Sequence, residues 1–347
     1  MKIELLNKFV FGILLLVPVV IIGQDVHFSQ MRYSPLNLNP ALAGAETNMQ
    51  ANVNYRNQWF SVTRPYSTIA ASADVRFQEF KSGNGFLAAG INFYNDIAGE
   101  SRLTTSRIDF SVAYHLILNN KSTIGLGVQP GFGQRGITPV LGTWSNQFVG
   151  DGFDTGISSG ESFDQINFSH FDMAAGMVYH YSADETNMRS NDQREFTAGI
   201  SAFHVNRPET PFLTGGENDL AVRWTAFAYG TIGKRNTNWS WVPAAYYMRQ
   251  GTHQQLLLGS YARVLVRQAS KRTIFFNSIY MSYGLFYRLQ DALVAKLMLD
   301  FSSYSIGFAY DFNVSPLTSF SSGRGGSEIF IRYVLPKPVA RSRSRIR

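Results

Sequence analysis

RIDFSVAYHL, residues 107–116, alternates along its whole length. Arg107, Asp109, Ser111, Ala113 and His115 form one set, and Ile108, Phe110, Val112, Tyr114 and Leu116 the other. Successive side chains of a β-strand point to opposite faces, so the two sets lie on opposite sides of a sheet. SYSIGFAYDFN at 303–313 repeats the pattern: Tyr304, Ile306, Phe308, Tyr310 and Phe312 oppose Ser303, Ser305, Gly307, Ala309, Asp311 and Asn313. Small and polar against large and apolar is the division between lumen and lipid in a transmembrane β-barrel. A secreted sandwich also alternates, but its outward face carries more Lys and Glu than these strands do.

Fourteen such segments can be read, near 48–60, 65–78, 85–95, 102–116, 121–133, 167–181, 195–206, 221–233, 238–249, 253–267, 276–288, 290–300, 303–313 and 327–335. The expected fold is therefore all-β, an antiparallel barrel of about fourteen strands over 48–335, since bacterial single-chain barrels have even strand numbers. Composition agrees. Charged residues make up 16% and aromatics 14%, with 17 Tyr and 27 Phe, against roughly 25% charged residues in soluble domains. Aromatics at segment ends, such as Trp59, Tyr94, Trp239 and Tyr333, suit the two interfacial girdles. With the first strand running outward, the long gaps 134–166, 207–220 and 314–326 fall outside and most short turns fall inside. The polar segment 182–194 is long for a periplasmic turn: either the strand count slips there, or the turn is a docking loop.

The chain opens with Lys2 and Lys8, an apolar run from Phe9 to Ile22, and Gly23. That order describes a secretory signal peptide over 1–23, too short to be a membrane span. No Cys follows, which excludes a lipoprotein anchor. At the other end, residues 336–347 form a basic tail with Arg341, Arg343, Arg345 and Arg347. In an exported protein this reads as a solvated tail, or one touching anionic lipid or a periplasmic partner, and not as a nucleic-acid site.

Residues 24–47 do not alternate. Asn39 reads as a helix cap, Pro40 as the first turn, and Gly44 as the stop. Pro35 is expected to keep the chain extended before that turn. A fourteen-strand barrel is too wide for its wall side chains to fill, so it needs a plug or carries a channel. Phe28, Leu36, Asn39, Pro40 and Leu42 are the expected plug or lid residues, packed in or across the periplasmic mouth. Arg56 should face the lumen, because a charge on the lipid face is costly, with Asp74 as its expected partner and Arg76 close by.

The stretch QDVHFSQMRYSPLNLNPALAGAETNMQANVNYRNQWFSVTR, residues 24–64, carries a resemblance. Gln24-Asp25, His27-Phe28-Ser29-Gln30, Ser34-Pro35-Leu36, Asn39-Pro40-Ala41-Leu42-Ala43-Gly44 and Tyr55-Arg56-Asn57-Gln58-Trp59 stand in the order found in the PorP/SprF family. These are outer-membrane proteins of the type IX secretion system in the Bacteroidota. Val26 replaces the small residue or proline the resemblance leads one to expect, and the later chain matches by strand pattern and length. The resemblance implies an accessory role in export or surface attachment of a large adhesin with a type B C-terminal sorting domain. It also implies contact with periplasmic ring proteins and a peptidoglycan-binding lipoprotein, and in some members a part in gliding motility. Binding roles for Arg56 and Trp59 rest on it alone. The Asn-Pro-Ala-Leu opening also looks like that of FadL-type transporters, so a channel for small hydrophobic compounds is the second reading.

The residues suggest no chemistry. The six histidines show no zinc spacing, and Asp151, Asp154, Glu161 and Asp164 do not have an EF-hand pattern. Gly125, Gly127, Gly131 and Gly133 sit on a strand with no following helix, so they read as small lumen residues. No Ser–His pair stands out. The expectation is a non-enzymatic protein without cofactor or metal, in contact with membrane lipid.

Overall fold

The computed structural model describes residues 25–60, 64–77, 84–99, 101–138, 145–150, 152–154, 156–158, 160, 167–183, 191–210, 219–268, 278–315 and 318–335. The expected signal peptide and basic tail lie outside them, as do Asp151, Glu161, Asp164 and the middle of the 182–194 segment.

Fourteen strands form one closed antiparallel barrel. They are β1 (Met49–Gln58), β2 (Tyr66–Arg76), β3 (Gly85–Ala98), β4 (Leu103–Asn119), β5 (Ser122–Gly136), β6 (Asn167–Ala183) and β7 (Arg194–Phe203). The second half comprises β8 (Arg223–Gly233), β9 (Trp239–Gln250), β10 (His253–Arg267), β11 (Ile279–Arg288), β12 (Ala292–Phe301), β13 (Tyr304–Asn313) and β14 (Arg324–Val334). Each strand pairs with its chain neighbours, and β1 closes on β14 with Arg56 opposite Glu328. Every segment expected from alternation is one of these strands. Closure leaves no sheet edge for the lipid to solvate.

The faces divide as the sequence pattern requires. On β4, Arg107, Asp109, Ser111, Ala113 and His115 are buried, while Phe110 is 53% and Val112 49% exposed. Tyr94 departs from its expected girdle position. It is buried in the lumen against Phe28 and Ala70, because it stands opposite Arg107, whose side chain also points inward. Trp239 is exposed as expected. The two-residue connections at Asn120-Lys121 and Ser302-Ser303 lie at the end where β1 begins. The long connections after β5 and β7 lie at the other end, so β1 starts on the periplasmic side.

Residues 25–47 run inside the barrel. A 3₁₀ turn (Met31–Tyr33), a one-turn α-helix (Pro35–Leu38) and a second 3₁₀ turn (Pro40–Leu42) follow one another. Pro35 thus occupies the first turn of a helix, where its missing N–H costs nothing, and does not keep the chain extended. Asn39 caps the next turn, its side chain accepting from the Ala41 N–H at 2.8 Å. Gly44 takes the left-handed conformation at φ +64° that ends it. Leu38, Ala41 and Leu42 pack with Val178, Phe227, Tyr246 and Leu257 from the wall.

The wall makes room where the turn touches it. A Cβ at Gly127 on β5 would lie 2.5 Å from the Ala41 backbone nitrogen. The path also extends well past the periplasmic mouth, in or across which the plug or lid is expected to pack. Asp25 donates its N–H to Gln250 at the outer end of β9, whereas the segment feeds β1 at the periplasmic end. It therefore traverses the lumen from end to end.

Candidate functional site

Three polar clusters hold the segment. The first is centred on Ser29. Its hydroxyl donates to Asp311 at 2.7 Å and accepts from Arg56 at 2.5 Å and Arg288 at 2.6 Å. Arg56 pairs with Asp311 at 2.7 Å and with Glu328 at 3.0 Å, and Arg288 reaches Asp311 at 3.0 Å. Glu328 accepts the backbone N–H groups of Ser29 and Gln30, and Lys296 donates to the Ser29 carbonyl. Buried charges are tolerated only when paired and hydrogen-bonded, and here the segment's backbone supplies the missing partners. His27 sits beside this cluster, its imidazole lowered from 6.5 to about 3 by burial and then by the Arg288 and Arg56 charges.

The expected Arg56–Asp74 pairing does not form. Asp74 stands opposite Gln50, away from Arg56, and accepts the Gly44 N–H at 2.9 Å. Arg56 turns instead to the strands on its other side. Trp59, just past β1, packs edge-to-face on Tyr66 at 4.7 Å and takes no part in the cluster.

The second cluster fixes Asp25. His204 follows β7 and lies between two carboxylates, 2.5 Å from Asp25 and 2.6 Å from Asp172. Arg223 pairs with Asp25 at 3.1 Å, while Arg107 joins Asp172 to Asp109. Burial would lower the His204 pKa, but Asp25 and Asp172 together raise it. Burial would raise that of Asp25, yet His204 and Arg223 hold it well below the usual range.

The third cluster lies at the periplasmic end. Glu46 accepts from Thr197 at 3.0 Å and faces Arg32 at 3.5 Å and Arg332 at 3.9 Å. Burial opposes its charge, but the two guanidiniums bring its pKa from 4.5 down to about 2. Arg76 donates to the Gly44 carbonyl at 2.7 Å. Below these contacts opens a polar vestibule of about 800 Å³, lined among others by Arg32, Glu46, His180, Arg263 and Asp300.

Of the expected residues, Phe28, Leu36, Asn39, Pro40 and Leu42 are all buried within the barrel. Leu36 meets β3 at Gly90, and Asn39 donates to the Met177 and Ile200 carbonyls of β6 and β7. The anchors that sequence reading missed are Ser29, Asp311, Glu328, Arg288 and Lys296, with Asp25, His204 and Asp172. Inward parity was visible for Asp311; the meeting with Arg56 depends on closure of the barrel. No group of three or more His, Asp or Glu side chains suited to a metal occurs among the described residues.

A closed fourteen-strand barrel with an apolar outer surface and a polar lumen defines an outer-membrane β-barrel protein. The chain belongs to the family described as type IX secretion system membrane protein PorP/SprF, which matches residues 20–333. None of the curated proteins matches it. Solved structures similar to it include CdiB from Acinetobacter baumannii, at 8% identity and TM-score 0.41 over 83% of this chain and 60% of that one. A TodX deltaS2S3 mutant monoaromatic hydrocarbon channel aligns at 9% identity and TM-score 0.45, over 86% of this chain and 93% of that one. BamA from Haemophilus ducreyi lacking POTRA domains 1-3 aligns at 7% and 0.43, over 84% and 71%. The chain thus spans 60% of the length of the CdiB relative.

Proposed function

We propose that this protein is a non-enzymatic accessory of type IX secretion that works by binding. In this reading it assists export or surface attachment of a large adhesin with a type B C-terminal sorting domain, and its periplasmic end holds components of the apparatus. The observation that carries the reading is the tied segment in the lumen. Residues 25–47 cross the bore and are fixed at the outer half by Arg56, Arg288 and Lys296 around Ser29 and by His204 and Arg223 around Asp25. A barrel so filled suits docking at its ends better than passage of a folded client. The ring proteins, the peptidoglycan-binding lipoprotein and the adhesin are the partners that the family resemblance implies.

A crosslinking pull-down of a tagged form from native outer membranes, read by mass spectrometry, tests this. Recovery of an adhesin with a type B terminal domain, or of ring components, supports the proposal. Recovery of neither, with the barrel folded and heat-modifiable, contradicts it and favours the small-molecule channel.

A further inference from the structure

The outer face of β7–β9 carries a seat for a lipid at its periplasmic rim. Arg194, Ile232 and Trp241 stand in one cross-strand row on β7, β8 and β9. Ile232 is 43% and Trp241 48% exposed, so the row faces the lipid. Below it the β8–β9 turn presents Lys234 and Arg235, and Lys234 lies 5.3 Å from the centre of the Trp239 ring. These residues and Asp192 enclose a recess of about 660 Å³.

The turn is held in shape. Asn191 donates to the carbonyls of Thr237 at 2.9 Å and Trp239 at 2.8 Å, and Thr237 donates to that of Lys234 at 2.7 Å. Among the described residues no ion pair within 4.0 Å joins Arg194, Lys234 or Arg235 to a carboxylate, although Asp192 lines the same recess. Three cations against the single carboxylate of Asp192 in the recess, grouped with two tryptophans at the level where barrels meet headgroups, match a phosphate-bearing amphiphile.

The same outward face continues upward as an apolar trough. Past Gly230 and Pro243, the small residues Ala198, Ala226, Ala228 and Ala245 form its floor, in a depression of about 530 Å³. Tyr179 and Ile200 wall one side, Tyr247 and Leu256 the other. From Ile232 to Ala226 the strand rises roughly 20 Å at about 3.3 Å per residue, the reach of an acyl chain within one leaflet. Cationic recess and apolar trough lie in line.

We propose that this track binds one anionic glycerophospholipid, its phosphate among Arg194, Lys234 and Arg235 and an acyl chain along the alanine floor. Such a lipid would fix the rim of the barrel in the inner leaflet, beside the turn that Asn191 secures.

Native mass spectrometry of the delipidated full-length barrel tests the proposal, titrated with dioleoylphosphatidylglycerol, with dioleoylphosphatidylcholine, or with glycerol 1-phosphate. One phosphatidylglycerol should remain bound per barrel under activation that strips phosphatidylcholine, and glycerol 1-phosphate should not compete. The paired variant Arg194→Gln/Arg235→Gln should weaken retention about fivefold or more. Ala228→Leu, which fills the trough and leaves every charge in place, should weaken it as well. Lys121→Gln, remote from the track, should leave lipid retention unchanged. Heat-modifiability reports folding, and if the paired charge variant fails to fold, Ala228→Leu decides. Equal retention of both lipids, unchanged retention in the folded variants, or competition by glycerol 1-phosphate alone would overturn the assignment.

Discussion

Arg56 of β1 and Glu328 of β14 face each other where the first and last strands close the barrel, their side chains 3.0 Å apart. They are separated by 272 positions in sequence, and neither is accessible to solvent. Glu328 also accepts two N–H groups of the lumenal segment, so one carboxylate serves both the closing seam and the segment beside it.

Removing Arg56 should therefore damage seam and segment together. Arg56→Leu leaves Asp311 and Glu328 undercompensated, and loss of one partner of a buried pair costs about 3–5 kcal/mol. Urea unfolding of the refolded barrel, followed by gel mobility, should shift to lower denaturant. Arg56→Leu/Glu328→Leu should recover part of the loss, as a double-mutant cycle would register.

Gly127→Val should loosen the segment with little harm to the barrel. The added side chain would meet the Ala41 backbone, while the β5 ladder to β4 and β6 keeps its register. The chain lacks cysteine, so a single Ser34→Cys reporter is clean. Its labelling by an impermeant maleimide should be slow in the parent and at least tenfold faster with Gly127→Val. Equal rates would contradict the fit.

Segment docking should weaken on both sides of neutrality. The raised His204 contributes stability in full below its unfolded value near 6.5, and that stability is lost as pH rises through the higher folded value. His27, lowered to about 3, contributes above its unfolded value and loses that contribution as pH falls. Glu46 follows the same sign between its ordinary 4.5 and about 2. Normalised to an exposed Asn236→Cys control, which removes the thiolate's own pH dependence, the Ser34→Cys reporter should be least reactive just above pH 6.5, and His204→Gln should abolish the remaining alkaline rise. A monotonic normalised profile in the parent protein would refute this assignment.

The strands were legible because a wall with lipid on one face and polar groups on the other writes a period of two into the chain. Residues 107–116 and 303–313 show it without ambiguity. Asn39, Pro40 and Gly44 were legible as a cap, a first turn and a stop because those roles depend on local backbone chemistry. Arg56 was placed in the lumen correctly, but its partner was not. Alternation fixes which face a residue takes and says little about which neighbour it chooses, and Asp74 was nearer in sequence than Glu328. The path of residues 25–47 was hidden for the same reason. Asp25 reaches His204, and Ser29 reaches Asp311, through contacts that exist only in the closed barrel.

The central claim, that the barrel works by holding secretion components at its periplasmic end, is tested most directly by a photocrosslinking residue in place of Ser303. That position lines the vestibule at a two-residue turn. In cells with active secretion, irradiation should join this site to periplasmic components of the type IX apparatus, while the same residue at lipid-facing Leu285 should give none of those adducts. Absence of such adducts from Ser303, and from Lys121 and Asn236 on neighbouring turns, in cells that still secrete would contradict the account.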